Sequence, residues 1–246
     1  MSVSDSPSAS GALIATLGSR SVIAPGIVDL IFAMRTPARL DFRAGQFVSI
    51  MVGKDAAGNT LKRSYSIASP PHQGDRLRFI MRVMPEGAAS QFVAALPLGA
   101  EVRMTGPHGF FVLEEEHPGD IVMGATGTGV SAVMPMLDEL ARRFDGGVRF
   151  LHWGARHEED LFARHEIEAL CQAARTELTI SLTAPKPGWT GTRGRITQAI
   201  VDRLSTLTSP TFYLVGNGAM IAELKTELGG RGVNRKRQIR TEAFFD

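Results

Sequence analysis

Apolar and polar residues alternate over short runs through the first half of the chain. Residues 12–19 (ALIATLGS), 27–34 (IVDLIFAM), 46–52 (QFVSIMV), 63–69 (RSYSIAS), 76–83 (RLRFIMRV) and 101–106 (EVRMTG) each read as a strand. Glycines and prolines separate these runs at short intervals, the spacing of a small antiparallel barrel or sandwich. One helical run, AASQFVAAL at 88–96, sits between Gly87 and Pro97. After HPGD at 117–120 the rhythm changes. Strand-like IVMGAT, VRFLHWGA, LTISLTA and TFYLVGN each precede a helix-like run: VSAVMPMLDELARRF, DLFARHEIEALCQAA, ITQAIVDRL and AMIAELKTEL. QIRTEAFF is the last strand. Strands alternating with helices of this length predict a parallel sheet covered by helices. The expected fold is therefore two-domain, an antiparallel β-barrel over 11–118 followed by an α/β parallel-sheet domain over 119–246. The boundary falls near Pro118, and a Ser-rich tail over 1–10 precedes the barrel.

Composition narrows the function classes. The chain has 246 residues, 43% of them hydrophobic, which is enough for a substantial core. Lys plus Arg number 27 and Asp plus Glu 25, so a net charge of +2 argues against a dedicated nucleic-acid binder. Cys171 is the single cysteine, which rules out an internal disulfide and leaves too few thiolates for an iron–sulfur cluster. The six histidines, at 72, 108, 117, 152, 157 and 165, are scattered, and no metal site is expected. No apolar run reaches the roughly 18–20 residues of a membrane span. MSVSDSPSASG lacks the basic start and apolar block of a signal peptide, so the cytoplasm is the expected compartment.

Four stretches carry candidate chemistry. MGATGTGVSAVMP joins the first strand of the second half to its first helix, where backbone N–H groups and the helix dipole favour a phosphate. Gly127 and Gly129 leave room for a close ligand. A tight strand-to-helix turn is the plainer alternative. YLVGNGAM repeats the arrangement at Gly216-Asn217-Gly218, and strand ends of such sheets are where ligands bind. RVMPEGAAS sets Gly87 to Ser90 at a helix start, either an anion site or an ordinary helix entry. LKRSYSIASP suits a flavin: Arg63 for a pyrophosphate, Tyr65 as a stacking face, Ser66 as a donor to a ring nitrogen. The plainer alternative is an exposed Arg, a core Tyr and solvent-facing serines.

Taken in order, these segments resemble the ferredoxin–NADP reductase superfamily. The matching residues are Arg63-Ser64-Tyr65-Ser66, Gly87-Ala88-Ala89-Ser90, Gly106-Pro107, Gly127-Thr128-Gly129, Gly154-Ala155-Arg156, Gly188-Trp189 with Gly191 and Gly194, and Gly216-Asn217-Gly218-Ala219-Met220. The resemblance implies a barrel that binds FAD, with FMN the alternative, and an α/β domain that binds NADPH or NADH. It places Arg63, Ser64, Tyr65, Ser66, Met81, Arg82, Val83, Gly87, Ala88, Ala89, Ser90, Thr126 and Phe244 at the flavin. It places Gly127, Thr128, Gly129, Gly154, Ala155, Arg156, Gly216, Asn217 and Met220 at the nicotinamide nucleotide. Ser66, Glu242 and Phe244 become the catalytic residues, with Phe244 or Phe245 stacked on the isoalloxazine. The implied activity is hydride transfer from NAD(P)H to FAD, then single electrons to a separate ferredoxin or flavodoxin. The alternatives are a free flavin reductase or an electron-transfer subunit of a larger oxygenase system. The chain is read as a monomer without nucleic-acid or membrane partners. It departs from many relatives at Val215, where they carry Cys. Arg156 and Lys186 lean toward NADPH, Glu158 and Glu159 toward NADH. The basic run RGVNRKRQIR at 231–240 is the expected docking face for an acidic carrier.

Overall fold

The computed structural model describes residues 12–84, 86–115, 119–143 and 147–244. The tail over 1–10, Pro118, His117 and Phe245 lie outside the described residues. The first six strands are β1 (Leu13–Ala24), β2 (Ile27–Thr36), β3 (Phe47–Lys54), β4 (Thr60–Ser66), β5 (Arg76–Arg82) and β6 (Glu101–His108). They pair antiparallel in the order β4-β3-β6-β1-β2-β5. The sheet curls until its two ends meet: Ala68 N–H, just past β4, donates to Arg78 C=O of β5 at 2.8 Å. Closure removes the exposed edges that an open sheet would leave. Alternate residues fill the interior, among them Leu17, Leu30, Phe32, Val48, Leu77, Phe79 and Met104. Helix α1 (Ala88–Ala95) lies between β5 and β6 and buries Val93 in the same core.

The second sheet is all parallel: β7 (Ile121–Thr126), β8 (Arg149–Ala155), β9 (Thr176–Leu182), the short β10 (Thr192–Arg193), β11 (Thr211–Asn217) and β12 (Ile239–Phe244). Its order is β10-β9-β8-β7-β11-β12. Helices α2 (Val130–Leu140) and α3 (Arg164–Ala173) pack on one face, α4 (Ile196–Arg203) and α5 (Gly218–Gly230) on the other. The core on the α2 side does not stop at the sheet. Val133, Met136 and Leu137 of α2 share one buried cluster with Ile27, Ile80, Phe111 and Leu113 from the barrel side. That continuous apolar contact holds the two sheets together.

Two elements differ from the sequence reading. The second α/β helix was expected from Asp160 but begins at Arg164. Leu161 is extended and Ala163 adopts a left-handed backbone (φ 45°), so the chain turns before the helix can start. The basic run, for which no element was expected, adds one. Asn234 caps a one-turn helix α6 (Arg235–Gln238) by accepting from the N–H groups of Lys236 and Arg237, both at 3.1 Å.

Single buried polar groups fix details of the second sheet. Asp120 accepts from Val148 N–H (2.9 Å) and Thr208 N–H (2.7 Å), tying together the loops that enter β8 and β11 beneath β7. Cys171 is buried in α3, and burial pushes its thiol up to about 12. His152 of β8 is 1% exposed, and neither ring nitrogen has a partner among the described residues. Burial, helped by nearby Arg203, pushes its imidazole down to about 4. The folded protein therefore refuses a proton that the unfolded chain takes up below pH about 6.5. Stability contributed by the neutral ring is complete above that pH and is lost as pH falls toward 4. From pH 7.5 to 4.5 this amounts to about 2–3 kcal/mol. Urea unfolding at both values should show His152→Phe losing less stability than the natural protein by that margin; equal losses would remove His152 from the acid response.

Candidate active site

The parallel sheet reverses its winding between β7 and β11, where a crevice opens beyond the strand ends. Two glycine turns meet there. Thr126 Oγ1 accepts from Asn217 N–H at 2.8 Å, and a Cβ on Gly216 would stand 2.3 Å from that same oxygen. Gly216, at φ 115°, is what lets the turns touch. Asn217 then caps α5 by accepting from Met220 N–H at 3.1 Å. Gly127 has φ 52° and open space where a Cβ would be, and Trp153 Nε1 donates to its carbonyl at 3.1 Å. Thr128 follows in the same half-buried turn. Gly129 does not face the opening. A Cβ there would press on Val215 C=O at 3.0 Å, so this glycine serves the packing of turn against strand and not the approach of a ligand. A cavity of about 320 Å³ fills the crevice and takes in Thr126, Gly127, Gly154, Ala155, Arg156, Asn217 and Met220. Arg156 is exposed, and its guanidinium has no partner among the described residues.

The barrel meets this region at the end of β4. Ser66 is buried, and its hydroxyl donates to Glu242 Oε1 of β12 at 2.8 Å. Register places Glu242 beside Val215 and Phe244 beside Asn217. Burial raises the Glu242 carboxyl above its ordinary range, partly offset by the Ser66 hydroxyl. A Cβ on Gly109 would lie 3.0 Å from the Phe47 ring and 3.5 Å from Glu242 Oε2, so a third segment closes on the pair. Neither hydrophobic pattern nor motif spacing singles out Phe47 or Gly109; only the fold brings them here.

The remaining expected residues separate by face. Alternation along β4 sets Ser64 and Ser66 on one side, Arg63 and Tyr65 on the other. Ser64 Oγ lies 3.1 Å from Ser49 Oγ. Arg63 is exposed, with Nη1 donating to Lys62 C=O at 2.9 Å. Tyr65 packs partly on the barrel core, and burial pushes its hydroxyl up to about 12. Gly87, the residue before α1, offers no side-chain cap to the first-turn amides of Ala88, Ala89 and Ser90. The Ser90 hydroxyl instead accepts from Met84 N–H at 2.7 Å and braces the loop. Met81 is buried in the barrel core, so its side chain is not open to a ligand. Val83 N–H donates to Gly26 C=O at 2.7 Å. Arg82 lines the cavity of the parallel sheet. Phe244 is half-buried against the cluster that holds Tyr213 and Val215.

Comparison with known proteins agrees with this architecture. Residues 15–113 match the oxidoreductase FAD-binding domain family, and residues 123–226 match the oxidoreductase NAD-binding domain family. Ferredoxin–NADP reductase B of Sorangium cellulosum is 31% identical over 87% of this chain and 90% of its own length. The chain belongs to the ferredoxin–NADP reductase superfamily. NAD(P)H-flavin reductase of Aliivibrio fischeri is 27% identical over 82% of this chain and 86% of its own. A ferredoxin NADP+ reductase from Neisseria gonorrhoeae, solved with FAD and NADP bound, shares the fold at TM-score 0.79 and 22% identity. It is covered over 94% of this chain and 98% of that one.

Membership makes the protein an NAD(P)H-dependent oxidoreductase that uses FAD. The barrel residues suit that group: an exposed Arg63 with no acid paired to it among the described residues, the half-buried Tyr65, and first-turn amides after Gly87 that lack a side-chain cap. The open Gly127 turn and Arg156 suit a nucleotide's phosphates. Because Ser66 donates to the ionised form of Glu242, Ser66→Ala should raise the carboxyl further and move its limb of the kcat/KM pH profile upward; an unmoved limb would separate Glu242 from turnover. Phe244→Ala should tighten nicotinamide binding to the oxidised enzyme with little change in Tm. A lower Tm with unchanged coenzyme affinity would assign Phe244 to the core.

Proposed function

We propose that the protein oxidises NAD(P)H and passes the electrons to a separate ferredoxin or flavodoxin, with FAD held by residues 11–118 and the nucleotide by 119–246. Bound FAD would convert a two-electron donor into one-electron steps. The observation that carries this reading is the Ser66–Glu242 hydrogen bond, which joins the barrel strand to the parallel sheet beside the nucleotide crevice. Ser66, whose hydroxyl donates to Glu242, would be the group to offer a hydrogen bond to a flavin ring nitrogen, and Glu242, half-buried and raised, can hold or release a proton at its carboxyl oxygen. The crossing of two glycine turns beside them leaves open space at Gly127 where a nucleotide's phosphates would approach the backbone.

Arg156 supports NADPH as the donor, since an unpaired guanidinium at the end of β8 suits a 2′-phosphate. Lys186 is paired with Glu159 at 3.2 Å and adds less. A free flavin reductase is the second reading, supported by the likeness to the Aliivibrio protein over most of both chains. The basic run is a weaker docking face than its sequence suggests. Arg240 is paired with Glu114, Arg231 with Glu227, and α6 precedes β12 at the end remote from Phe244, about 16 Å along the strand from Ile239.

Steady-state reduction of a ferredoxin, a flavodoxin and free FMN, each with NADH and NADPH, tests both readings. Protein acceptors should turn over at low micromolar concentration; fast turnover with free FMN alone would support the second reading. Arg156→Ala should lower kcat/KM for NADPH by roughly 10-fold and leave NADH little changed, as loss of a charge-assisted contact implies. An unchanged preference would place the 2′-phosphate elsewhere.

A further inference from the structure

The two faces of β5 do different work. Leu77, Phe79 and Met81 point into the barrel core. Arg78, Ile80 and Arg82, on the alternate face, meet the parallel-sheet domain. Ile80 sits in the buried cluster shared with α2. On either side of it an arginine reaches an acid from one short segment, residues 160–166. The two ends are unequal. Arg78 lies 2.5 and 3.1 Å from the two Glu166 oxygens and 3.0 and 3.1 Å from the two Asp29 oxygens, a charged junction that is four-fifths buried at the arginine. Arg82 lies 3.8 Å from Asp160 Oδ1, beyond hydrogen-bond reach, with 42% of its side chain exposed. Asp160 has a second task, since its Oδ2 accepts from His157 N–H at 2.9 Å. Both Arg82 and Asp160 line the crevice beside Gly127 and Asn217.

We propose that Asp160 is an internal competitor that holds Arg82 away from the nucleotide phosphates, so that this carboxylate sets how tightly a pyridine nucleotide binds. The inference rests on the reading of the crevice as the nucleotide site. An arginine held at 3.8 Å is a loose partner that a phosphate can take by bidentate hydrogen bonds. Arg78 keeps the far end of β5 fixed to α3 while that exchange takes place. Without nucleotide, Asp160 satisfies part of the charge of Arg82; with nucleotide, the guanidinium changes partner and the carboxylate is left to His157. Affinity is lowered by the strength of the contact that must first be given up, which hastens release of the oxidised nucleotide.

The test is a double-mutant cycle on the flavin-loaded protein. Dissociation constants for NADP+ and NAD+ are measured by calorimetry and by flavin difference spectra, with Tm recorded for each variant. Asp160→Asn keeps an oxygen for His157 N–H and should tighten NADP+ about 3- to 10-fold. Arg82→Met should weaken it about 10-fold, with Arg82→Gln measured alongside to cover a Met variant that loses flavin. In the Arg82 background, Asp160→Asn should have no further effect, because Asp160 acts through the arginine. Weaker or unchanged binding in Asp160→Asn overturns the proposal. So does a gain that persists when Arg82 is absent, which would mean simple repulsion between Asp160 and phosphate. Failure of the natural protein to bind either nucleotide would overturn the reading of the crevice and the competition with it, and is told apart by the unmodified protein alone.

Discussion

The contact between Gly216 and Thr126 is the constraint on which the rest of the site depends. Strands β7 and β11 are hydrogen-bonded neighbours, so the turns that leave them must share one small space. Any side chain at 216 would strike the Thr126 hydroxyl or carbonyl. With glycine there, Thr126 can accept from Asn217, Asn217 can cap α5, and the crevice has a fixed floor. Register carries the same order one strand further, because β12 follows β11 and delivers Glu242 beside Val215. Position of the carboxyl that meets Ser66 is thus a consequence of strand pairing. No flexible loop has to be ordered to place it.

The barrel is brought to this floor by apolar burial and kept in orientation by ions. The cluster that runs from Ile27 and Ile80 through α2 supplies the association, since apolar area removed from water is the main favourable term in such contacts. That force is nondirectional. Arg78 with Glu166, and Arg240 with Glu114 on another side, select one mutual angle among the many that burial alone would tolerate.

What the sequence made legible was local. Period-two runs and glycine-rich strand ends marked both sheets, and the paired motifs at 63–66 and 127–129 pointed to the two ligands. What it concealed was set by distance along the chain or by backbone angles without a residue signature. Ala163 in a left-handed conformation delays α3, and alanine gives no hint of it. Gly129 looks like Gly127 in the sequence, yet one presses on Val215 and the other faces open space. Arg82 was read with the flavin residues that flank it on β5, but alternation turns its side chain to the other sheet. Its acidic neighbour, Asp160, lies in an expected helix that had not yet begun. Arg231 and Arg240 read as a docking stripe because pairing with Glu227 and Glu114 cannot be seen in a run of like charges.

Cys171 gives the molecule a property with practical reach. Its thiol is sealed inside α3's apolar side and held protonated at neutral pH, so it presents no reactive thiolate. The natural chain is in effect a cysteine-free background. A thiol engineered on the barrel surface and another on the parallel-sheet domain would be the two positions that maleimide dyes or spin labels reach. The separation of the two halves could then be followed by energy transfer or dipolar spectroscopy during turnover, in a protein whose own sulfur chemistry stays silent.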